Sequence, residues 1–374
     1  MSTLQLYADH LSNLAAADRR RSLVPRRGRD FASNDYLGLA GDTRLATAIR
    51  AALDRGVPIG SGGSRLLRGN APEHEMLEAE AAAFFGVESA LFFSSGYAAN
   101  VALLATLPQA EDCIFHDVLV HASAHEGMRL ARCTRVGVAH NDPTAFDQAI
   151  RGWRAAGGRG RPWIVVESLY SMDGDRAPLD ALAAIAGQHD AMLLVDEAHA
   201  TGVFGTDGRG LTDRLQGREN LITLHTLGKA LGCEGALVCA PAVIRDFLVN
   251  RARGFIFSTA PSPLVAAAAR EALNILRSEP ERRTALAALW DLAATRLARH
   301  GAPATGSQIL PIVLGADARA MTVAAQLQAC GLDVRGIRPP TVPAGTARLR
   351  ISITLNIDAA DIDALDAALE GALG

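Results

Sequence analysis

Apolar positions recur along the chain in two patterns, and each pattern predicts a different kind of secondary structure. Short uninterrupted apolar runs bounded by polar or glycine-rich segments predict strands that are buried on both faces. Such runs occupy residues 89–93, 163–166, 191–195, 221–224 and 236–240. Longer segments with apolar residues three and four positions apart predict helices. These segments cover approximately residues 3–20, 44–53, 71–85, 264–276, 282–300, 320–330 and 359–373.

The order of these segments predicts the fold class. Helical segments separate most of the strands in the central part of the chain, which is typical of a largely parallel sheet with helices on both faces. Two further strands, at residues 309–314 and 347–353, alternate with helices and predict a smaller α+β domain. We therefore expect an α/β protein with an N-terminal segment (1–45), a large domain (46–262) and a small C-terminal domain (263–374).

Composition and charge exclude several classes of protein. The 374 residues are 49% hydrophobic and 21% charged, as in ordinary globular proteins. A formal net charge of −3 predicts no attraction to nucleic acid or to an anionic membrane. The five cysteines form no C-x-x-C pair, which argues against a disulfide framework or a metal site and fits a cytoplasmic setting. No apolar stretch approaches the length of a membrane span, and no hydrophobic region of an export signal follows Arg19–Arg21.

Lys229 is the only lysine in a chain with 37 lysine and arginine residues. Arginine can form ion pairs, but its guanidinium stays protonated and does not form an imine with an aldehyde. A desolvated primary amine does. Lys229 lies between Gly228 and Gly232, after the predicted strand at residues 221–224. A lone lysine can remain by chance in an arginine-rich chain, but this position favours covalent catalysis.

Asp196 and His199 directly follow the predicted strand at residues 191–195. In open parallel sheets, ligands bind beyond the carboxyl ends of the strands. A carboxylate there, together with a lysine after a later strand, suits pyridoxal phosphate, whose ring nitrogen must remain protonated for the ring to act as an electron sink. His199 is then within reach of the phenolic oxygen of the ring. Taken singly, Asp196 could be a helix cap and His199 a surface residue.

A phosphate-binding turn is predicted after residues 89–93. Ser94–Gly96 leads from this strand into a helix, and free N–H groups at a helix N-terminus bind phosphate. Gly96 permits close approach of the backbone, and Thr226 can add a hydroxyl group. A Ser–Gly turn is also a common helix cap, so this signal is weak alone.

Three other residues are candidates for cofactor or substrate binding. His121 could stack on a planar ring, or it could be a partly buried structural histidine. Ser171 follows the predicted strand at residues 163–166 and is therefore expected at the same edge of the sheet. Arg338 precedes Pro339 and Pro340 in a rigid loop, where a guanidinium could bind a carboxylate through two hydrogen bonds. It could equally be a surface arginine.

These motifs together resemble those of the α-oxoamine synthases, a family of fold-type-I pyridoxal-phosphate enzymes. The most specific matches are E-x-x-x-S-M-D-G-D ending at Asp175, D-E-A-H-x-T-G starting at Asp196, and the segments 226–232 and 257–260. The resemblance implies pyridoxal 5′-phosphate as cofactor and a fold-type-I transferase. Such a protein has a large domain with a mostly parallel sheet flanked by helices and a small C-terminal α+β domain. A homodimer with shared active sites is also implied.

The resemblance also implies a set of cofactor-binding residues. They are Gly96, Tyr97, His121, Ser171, Asp196, His199, Thr226, Lys229 and Thr259. Lys229 would bond to the cofactor and act as acid and base at the substrate Cα. Asp196 would pair with the ring nitrogen, His121 would stack on the ring, and His199 would flank the phenolic oxygen; these four would be the catalytic residues.

The remaining implied roles concern the phosphate and the substrate. Ser171 would join His199 at the phenolic oxygen. The phosphate would be held by Gly96, Tyr97 and Thr226, with Thr259 reaching it from the partner chain. Substrate-binding residues would be Arg338, Arg19 and Asn34.

Residues 338–346 resemble the biotin-pathway member of the family. That member condenses L-alanine with a pimeloyl thioester, carried by CoA or by an acyl carrier protein, and releases CO2 and a thiol. Three alternatives remain open. They are another family member such as 2-amino-3-ketobutyrate CoA ligase (glycine and acetyl-CoA), an aminotransferase that needs no acyl donor, and a catalytically silent partner subunit. Lys229 argues against the third, and His121 together with the E-x-x-x-S-M-D-G-D segment argues against the second.

Overall fold

The computed structural model describes residues 3–374. The helices are α1 (Gln5–Ala16), α2 (Thr43–Asp54), α3 (Pro72–Phe85), α4 (Gly96–Thr106), α5 (Ala122–Leu130), α6 (Pro143–Ala155), α7 (Leu179–Gln188), α8 (Ala242–Arg251), α9 (Arg253–Ile256), α10 (Pro263–Ser278), α11 (Pro280–Leu297), α12 (Asp317–Ala329) and α13 (Ala359–Leu373). The strands are β1 (Arg29–Asp30), β2 (Ser89–Phe93), β3 (Cys113–Asp117), β4 (Thr134–Val138), β5 (Pro162–Glu167), β6 (Met192–Asp196), β7 (Leu221–Thr226), β8 (Ala236–Ala240), β9 (Ile309–Gly315), β10 (Leu332–Asp333), β11 (Arg335–Ile337) and β12 (Ala347–Ser352).

The chain divides into two compact units. One contains the residues up to 36, residues 172–175 and residues 284–374, and the other contains residues 37–171 and 176–283. The sequence places the start of the small domain at residue 263, whereas this division keeps α10 in the second unit. The physical reason is that α10 packs against α2 and α3.

The second unit is built on a seven-stranded sheet with the order β2-β8-β7-β6-β5-β3-β4. Five neighbouring strands, β7, β6, β5, β3 and β4, run parallel to one another. Strand β8 runs antiparallel to both of its neighbours, β7 and β2. The mostly parallel sheet predicted from the sequence is therefore confirmed. Two of its strands, β3 and β4, were not predicted.

Helices cover both faces of this sheet, as alternate residues of the central strands show. Val165 and Leu194 pack with residues of α4 and α5 in one core cluster. Their neighbours Val166 and Val195 pack with residues of α6 and α7 in another cluster. Because side chains alternate along a strand, a residue two positions beyond Val165 or Leu194 lies on the α4–α5 face. Glu167 and Asp196 are the residues at these two positions.

The first unit contains a three-stranded antiparallel sheet with the order β11-β12-β9, and a separate parallel pair formed by β1 and β10. Helix α12 packs on the three-stranded sheet and on α13, so the predicted small α+β arrangement is confirmed. Helix α1 ends at Ala16 rather than at residue 20 and has no buried residue. Across residues 3–374, no helix is long and apolar enough to cross a membrane.

Candidate active site

A cavity of about 410 Å³ lies in the second unit where the parallel strands end. Its walls come from the start of α4, the start of α5, the carboxyl ends of β5, β6 and β7, and the loop between β7 and β8. The lining residues are Ser95, Gly96, Tyr97, Asn100, His121, Ser123, Glu167, Asp196, Ala198, His199, Thr226, Gly228, Lys229, Cys233, Glu234 and Gly235. Seven of the nine predicted cofactor-binding residues are therefore brought together; Ser171 and Thr259 are not among them.

Asp196 is fixed in the wall by two hydrogen-bond donors. The side-chain amide of Asn100 donates to Oδ2 at 2.7 Å, and the backbone N–H of Ala198 donates to Oδ1 at 2.9 Å. The side chain is 8% exposed. Both oxygens of this carboxyl group are therefore held in place in the cavity wall, where they can face a cation.

His121 caps the N-terminus of α5, and its hydrogen bonds define its tautomer. The backbone N–H of Ser123 donates to Nδ1 at 3.2 Å, and the Ser123 hydroxyl lies 2.7 Å from the same nitrogen. Nδ1 is therefore an acceptor, and the proton of the neutral ring is on Nε2. Burial lowers the pKa of His121 below its usual range, so the ring is neutral at pH 7 and can stack on a flat ligand.

The start of α4 forms a turn suited to phosphate. Ser95 caps the helix by accepting a hydrogen bond from the N–H of Ala98 at 3.1 Å. A Cβ at Gly96 would lie 2.6 Å from Cγ2 of Thr226. Only glycine lets the helix start this close to the end of β7. The methyl group of Thr226 faces Gly96, and its hydroxyl donates to the carbonyl of Ala198 at 3.3 Å.

Lys229 is half-buried in a compact loop between β7 and β8. The N–H of Leu227 donates to the carbonyl of Gly235 at 2.9 Å, and the N–H of Cys233 donates to that of Leu227 at 2.8 Å. Gly232 has a φ of +64°, and a Cβ there would lie 2.4 Å from the backbone of Ala40. Glycine is therefore required in the loop that holds Lys229 in the cavity wall.

Other predicted cofactor-binding residues differ in exposure. His199 is buried and Tyr97 is exposed, although both line the cavity. Ser171 is buried just outside the lining, and its N–H donates to Oε2 of Glu167 at 3.2 Å. Thr259 is exposed and lies outside the cavity wall of its own chain, which is compatible with the prediction that it acts on a partner.

The predicted substrate-binding residues Arg19, Asn34 and Arg338 all lie in the first unit. Arg19 forms an ion pair with Asp317 at 2.7 Å. The side-chain oxygen of Asn34 accepts a hydrogen bond from Arg350 at 3.1 Å, so this oxygen is engaged within the unit.

Arg338 is 7% exposed, and burial lowers the pKa of its guanidinium. Nη2 donates to the carbonyl of Arg20 at 2.9 Å, and Nη1 lies 2.7 Å from the sulfur of Met321. Within residues 3–374, Nε has no hydrogen-bond partner. Arg338 therefore has donor capacity that these contacts leave unused.

Several polar residues of the cavity were given no role from the sequence; among them are Asn100 and Glu167, although Glu167 is the first residue of the E-x-x-x-S-M-D-G-D motif. Asn100 lies one turn into α4, and Glu167 is the last residue of β5. The position of Glu167 at a strand end was the available signal, since Asp196 was found by the same criterion. Nothing comparable marks an asparagine inside a helix.

Glu197, within a recognised motif, and His225, directly before another, have structural roles. Glu197 is buried and accepts hydrogen bonds from Ser168 and from the N–H groups of Leu211 and Thr212. His225 is buried and stacks on Phe85 with ring centroids 3.8 Å apart. Its Nδ1 and Nε2 are hydrogen-bonded to the hydroxyls of Thr201 and Thr223.

The cavity fits pyridoxal phosphate. Oδ1 of Asn100 and Oε1 of Glu167 are buried and have no partner among the described residues, so the wall has polar atoms left for a ligand. The same wall contains an amine, a buried carboxylate and a helix N-terminus with room for phosphate. These groups match the aldehyde, ring nitrogen and phosphate of this cofactor.

Comparison with known proteins places the chain in a family. Residues 28–369 match the family model described as aminotransferase class I and II. A lysine-to-alanine variant of serine palmitoyltransferase from S. paucimobilis, with a bound PLP–myriocin aldimine, superposes with a TM-score of 0.90 at 26% identity. The superposition covers 99% of this chain and 97% of that one. The chain therefore belongs to the class I and II aminotransferase family of fold-type-I, pyridoxal-phosphate-dependent enzymes.

Within that family, the chain is similar to acyltransferases named 8-amino-7-oxononanoate synthase. It is 46% identical to 8-amino-7-oxononanoate synthase from Anaeromyxobacter dehalogenans, over 92% of this chain and 86% of the relative. The crystal structure of 8-amino-7-oxononanoate synthase from Francisella tularensis superposes with a TM-score of 0.78 at 30% identity, covering 92% of this chain and 97% of that one. The resemblance recognised in the sequence and the predicted cofactor are confirmed.

Proposed function

We propose that the protein condenses L-alanine with a pimeloyl thioester to give 8-amino-7-oxononanoate, CO2 and a free thiol, in biotin biosynthesis. The observation that carries the proposal is the cavity that brings together Lys229, Asp196 and His121. It occurs in a chain that shares 46% identity with an 8-amino-7-oxononanoate synthase.

The cofactor would be held by the residues that line this cavity. Lys229 would bond to its aldehyde carbon, Asp196 would face its ring nitrogen, and His121 would stack on its ring. Its phosphate would be held by the first N–H groups of α4, at Gly96 and Tyr97, and by the hydroxyl of Thr226. The phenolic oxygen would lie between His199 and Ser171. When bound, pyridoxal phosphate withdraws electrons from the Cα of the attached amino acid.

The residues of the chain would carry the proton transfers and orient alanine. After the amino group of alanine has replaced Lys229 at the cofactor, the freed Lys229 amine would remove the Cα proton and later return a proton to the same carbon. The Cα bonds to the thioester carbonyl carbon while the carbon–sulfur bond breaks and the thiol leaves. The original alanine carboxylate then departs as CO2. Arg338 would bind that carboxylate before it leaves, and Arg19 and Asn34 would contact the substrate.

A cytoplasmic homodimer is part of the proposal. Phe257 is 73% exposed, and Thr259, two residues further on, is also exposed. An exposed aromatic residue next to a predicted phosphate ligand is expected where a second copy packs against this segment. The acyl donor would be a thioester of CoA or of an acyl carrier protein.

A second candidate reaction, the condensation of L-serine with a palmitoyl thioester, is tested because of one structural observation. The serine palmitoyltransferase structure superposes with a higher TM-score than the Francisella synthase, 0.90 against 0.78. Sequence identity favours the first proposal, since it is 46% to the Anaeromyxobacter synthase and 26% to serine palmitoyltransferase. Side chains decide substrate choice, whereas backbone superposition reports the fold.

The experiment is a product assay in which L-alanine, glycine and L-serine are crossed with pimeloyl, acetyl and palmitoyl thioesters. Thiol release and product mass are recorded for CoA and for carrier-protein donors. We expect turnover with alanine and pimeloyl thioester. Preferred turnover of glycine with acetyl-CoA, or of serine with palmitoyl-CoA, would replace the proposal. Amino-group exchange with a keto acid and no thiol release would identify an aminotransferase.

A further inference from the structure

Two buried carboxyl groups lie side by side at the edge of the sheet. Glu167 ends β5 and Asp196 ends β6, and the two residues are partners in the parallel register. Both lie on the α4–α5 face, and neighbouring strands are about 4.8 Å apart. Glu167 is 3% exposed and Asp196 is 8% exposed, and both line the cavity. A neighbouring negative charge and burial both disfavour the ionised form of a carboxyl group.

The hydrogen bonds indicate which of the two keeps the proton. Asp196 has a donor on each oxygen, from Asn100 and Ala198. Glu167 has one longer bond, from the N–H of Ser171 to Oε2 at 3.2 Å. Its Oε1 is buried and faces no donor within residues 3–374. A negative charge is therefore solvated better on Asp196 than on Glu167, since an unpaired buried charge is costly.

The charges around Glu167 lead to the same assignment. Burial, followed by the charge of Asp196, holds the pKa of Glu167 well above its usual range. Asp117, on the neighbouring strand β3, acts in the same direction. Lys229 and the N–H of Ser171 act in the opposite direction without cancelling these effects. His121, across the cavity, is neutral and adds no positive charge.

We propose that Glu167 is a protonated carboxyl group at neutral pH and acts as a positioning residue for the cavity. It leaves Asp196 as the one anion of this carboxyl pair. Through Oε2, it also holds the turn that carries Ser171. The inference rests on the proposed function only in giving Asp196 and Ser171 roles in cofactor binding.

The first test is infrared difference spectroscopy of the full-length holoenzyme at pH 7. The carbonyl stretch of a protonated carboxyl group is expected in the wild-type protein and is lost in Glu167→Gln. Glu78→Gln is the matched control, because Glu78 is also buried but is ion-paired with Arg65 at 2.8 Å; that variant should leave the acid band in place. If Glu167→Gln removes only a carboxylate band, the proposal is overturned.

Coupling to Asp196 is tested by titrating the same acid band in Asp196→Asn. Removing the neighbouring negative charge should lower the pH at which Glu167 ionises. A midpoint that does not move would show that burial alone protonates Glu167, which overturns the shared-charge part of the proposal. This test also applies if Glu167→Gln does not fold, because an acid band whose midpoint falls in Asp196→Asn belongs to a carboxyl group beside Asp196.

Affinity for pyridoxal phosphate gives an independent readout. Glutamine is neutral, has the same length and keeps an oxygen for the N–H of Ser171, so Glu167→Gln should change the dissociation constant by less than about threefold. Aspartate is one carbon shorter and cannot reach that N–H, so Glu167→Asp should weaken binding about tenfold. Weaker binding by the glutamine variant than by the aspartate variant would overturn the proposal.

Failure of this inference and failure of the proposed function are distinguishable. The infrared and affinity measurements use neither alanine nor an acyl thioester. A different substrate found in the product assay would therefore leave the Glu167 results unchanged. Conversely, an ionised Glu167 would leave the identity of the acyl product unchanged.

Discussion

Replacing Arg338 by alanine is expected to weaken L-alanine binding strongly and to leave pyridoxal phosphate bound. The guanidinium is 7% exposed, and its contacts are an uncharged carbonyl at 2.9 Å and a thioether sulfur at 2.7 Å. Thioether sulfur is a weak acceptor, so a carboxylate would gain much by taking its place. Losing a paired, charge-assisted contact costs about 2–4 kcal/mol, which is about a 30- to 1000-fold loss of affinity.

The assay is a titration of L-alanine against the absorbance band of the bound cofactor. Arg338→Lys should restore part of the affinity, because an ammonium group provides the charge without the planar fork. Arg350→Ala is the control, since Arg350 donates to Ser352 at 2.7 Å and to Asn34 at 3.1 Å. That variant should lose stability more than alanine affinity. An unchanged affinity in Arg338→Ala would refute the reasoning and transfer the carboxylate role to Arg350.

Two further predictions concern Asp196 and His225. Asp196→Asn should keep the cofactor but nearly abolish exchange of the alanine Cα proton with deuterium, measured by NMR; near-normal exchange would reject the role of Asp196. Burial lowers the pKa of His225 from 6.5 to about 3, so its contribution to stability is present above pH 6.5 and is lost as pH falls toward 3. Denaturant unfolding at several pH values should therefore show less acid sensitivity in His225→Gln, and equal sensitivity would contradict this.

The length of the apolar run, rather than burial alone, determined which strands could be predicted from the sequence: Cys113–Asp117 is fully buried, but only its first three residues are apolar, and it was not predicted. Met192–Asp196 is buried along its whole length, and its uninterrupted apolar run made it easy to recognise. Thr134–Val138 is an edge strand with mostly exposed residues, and its short alternation of Val136 and Val138 with Arg135 and Gly137 is not an uninterrupted apolar run. Its position depends on pairing with Cys113–Asp117, which is a tertiary effect that local sequence does not record.

Site residues could be predicted from the sequence where a residue suited to catalysis or phosphate binding follows a buried strand. Lys229 and Asp196 follow buried strands, and Gly96 follows another, so position along the chain was enough to bring them together. Asn100 was not predictable, because its bond to Asp196 depends on how α4 packs over β6. Protonation of Glu167 was also hidden from sequence, because it depends on the register of β5 and β6.

Lys229 is proposed to carry pyridoxal phosphate and to perform the chemistry of the cavity. Reduction of the holoenzyme with borohydride, followed by peptide mass spectrometry, tests it directly because no second lysine is present. We expect one pyridoxyl adduct per chain, located on Lys229, and no adduct or turnover in Lys229→Ala. An intact mass without an adduct, or full turnover by the alanine variant, would contradict it.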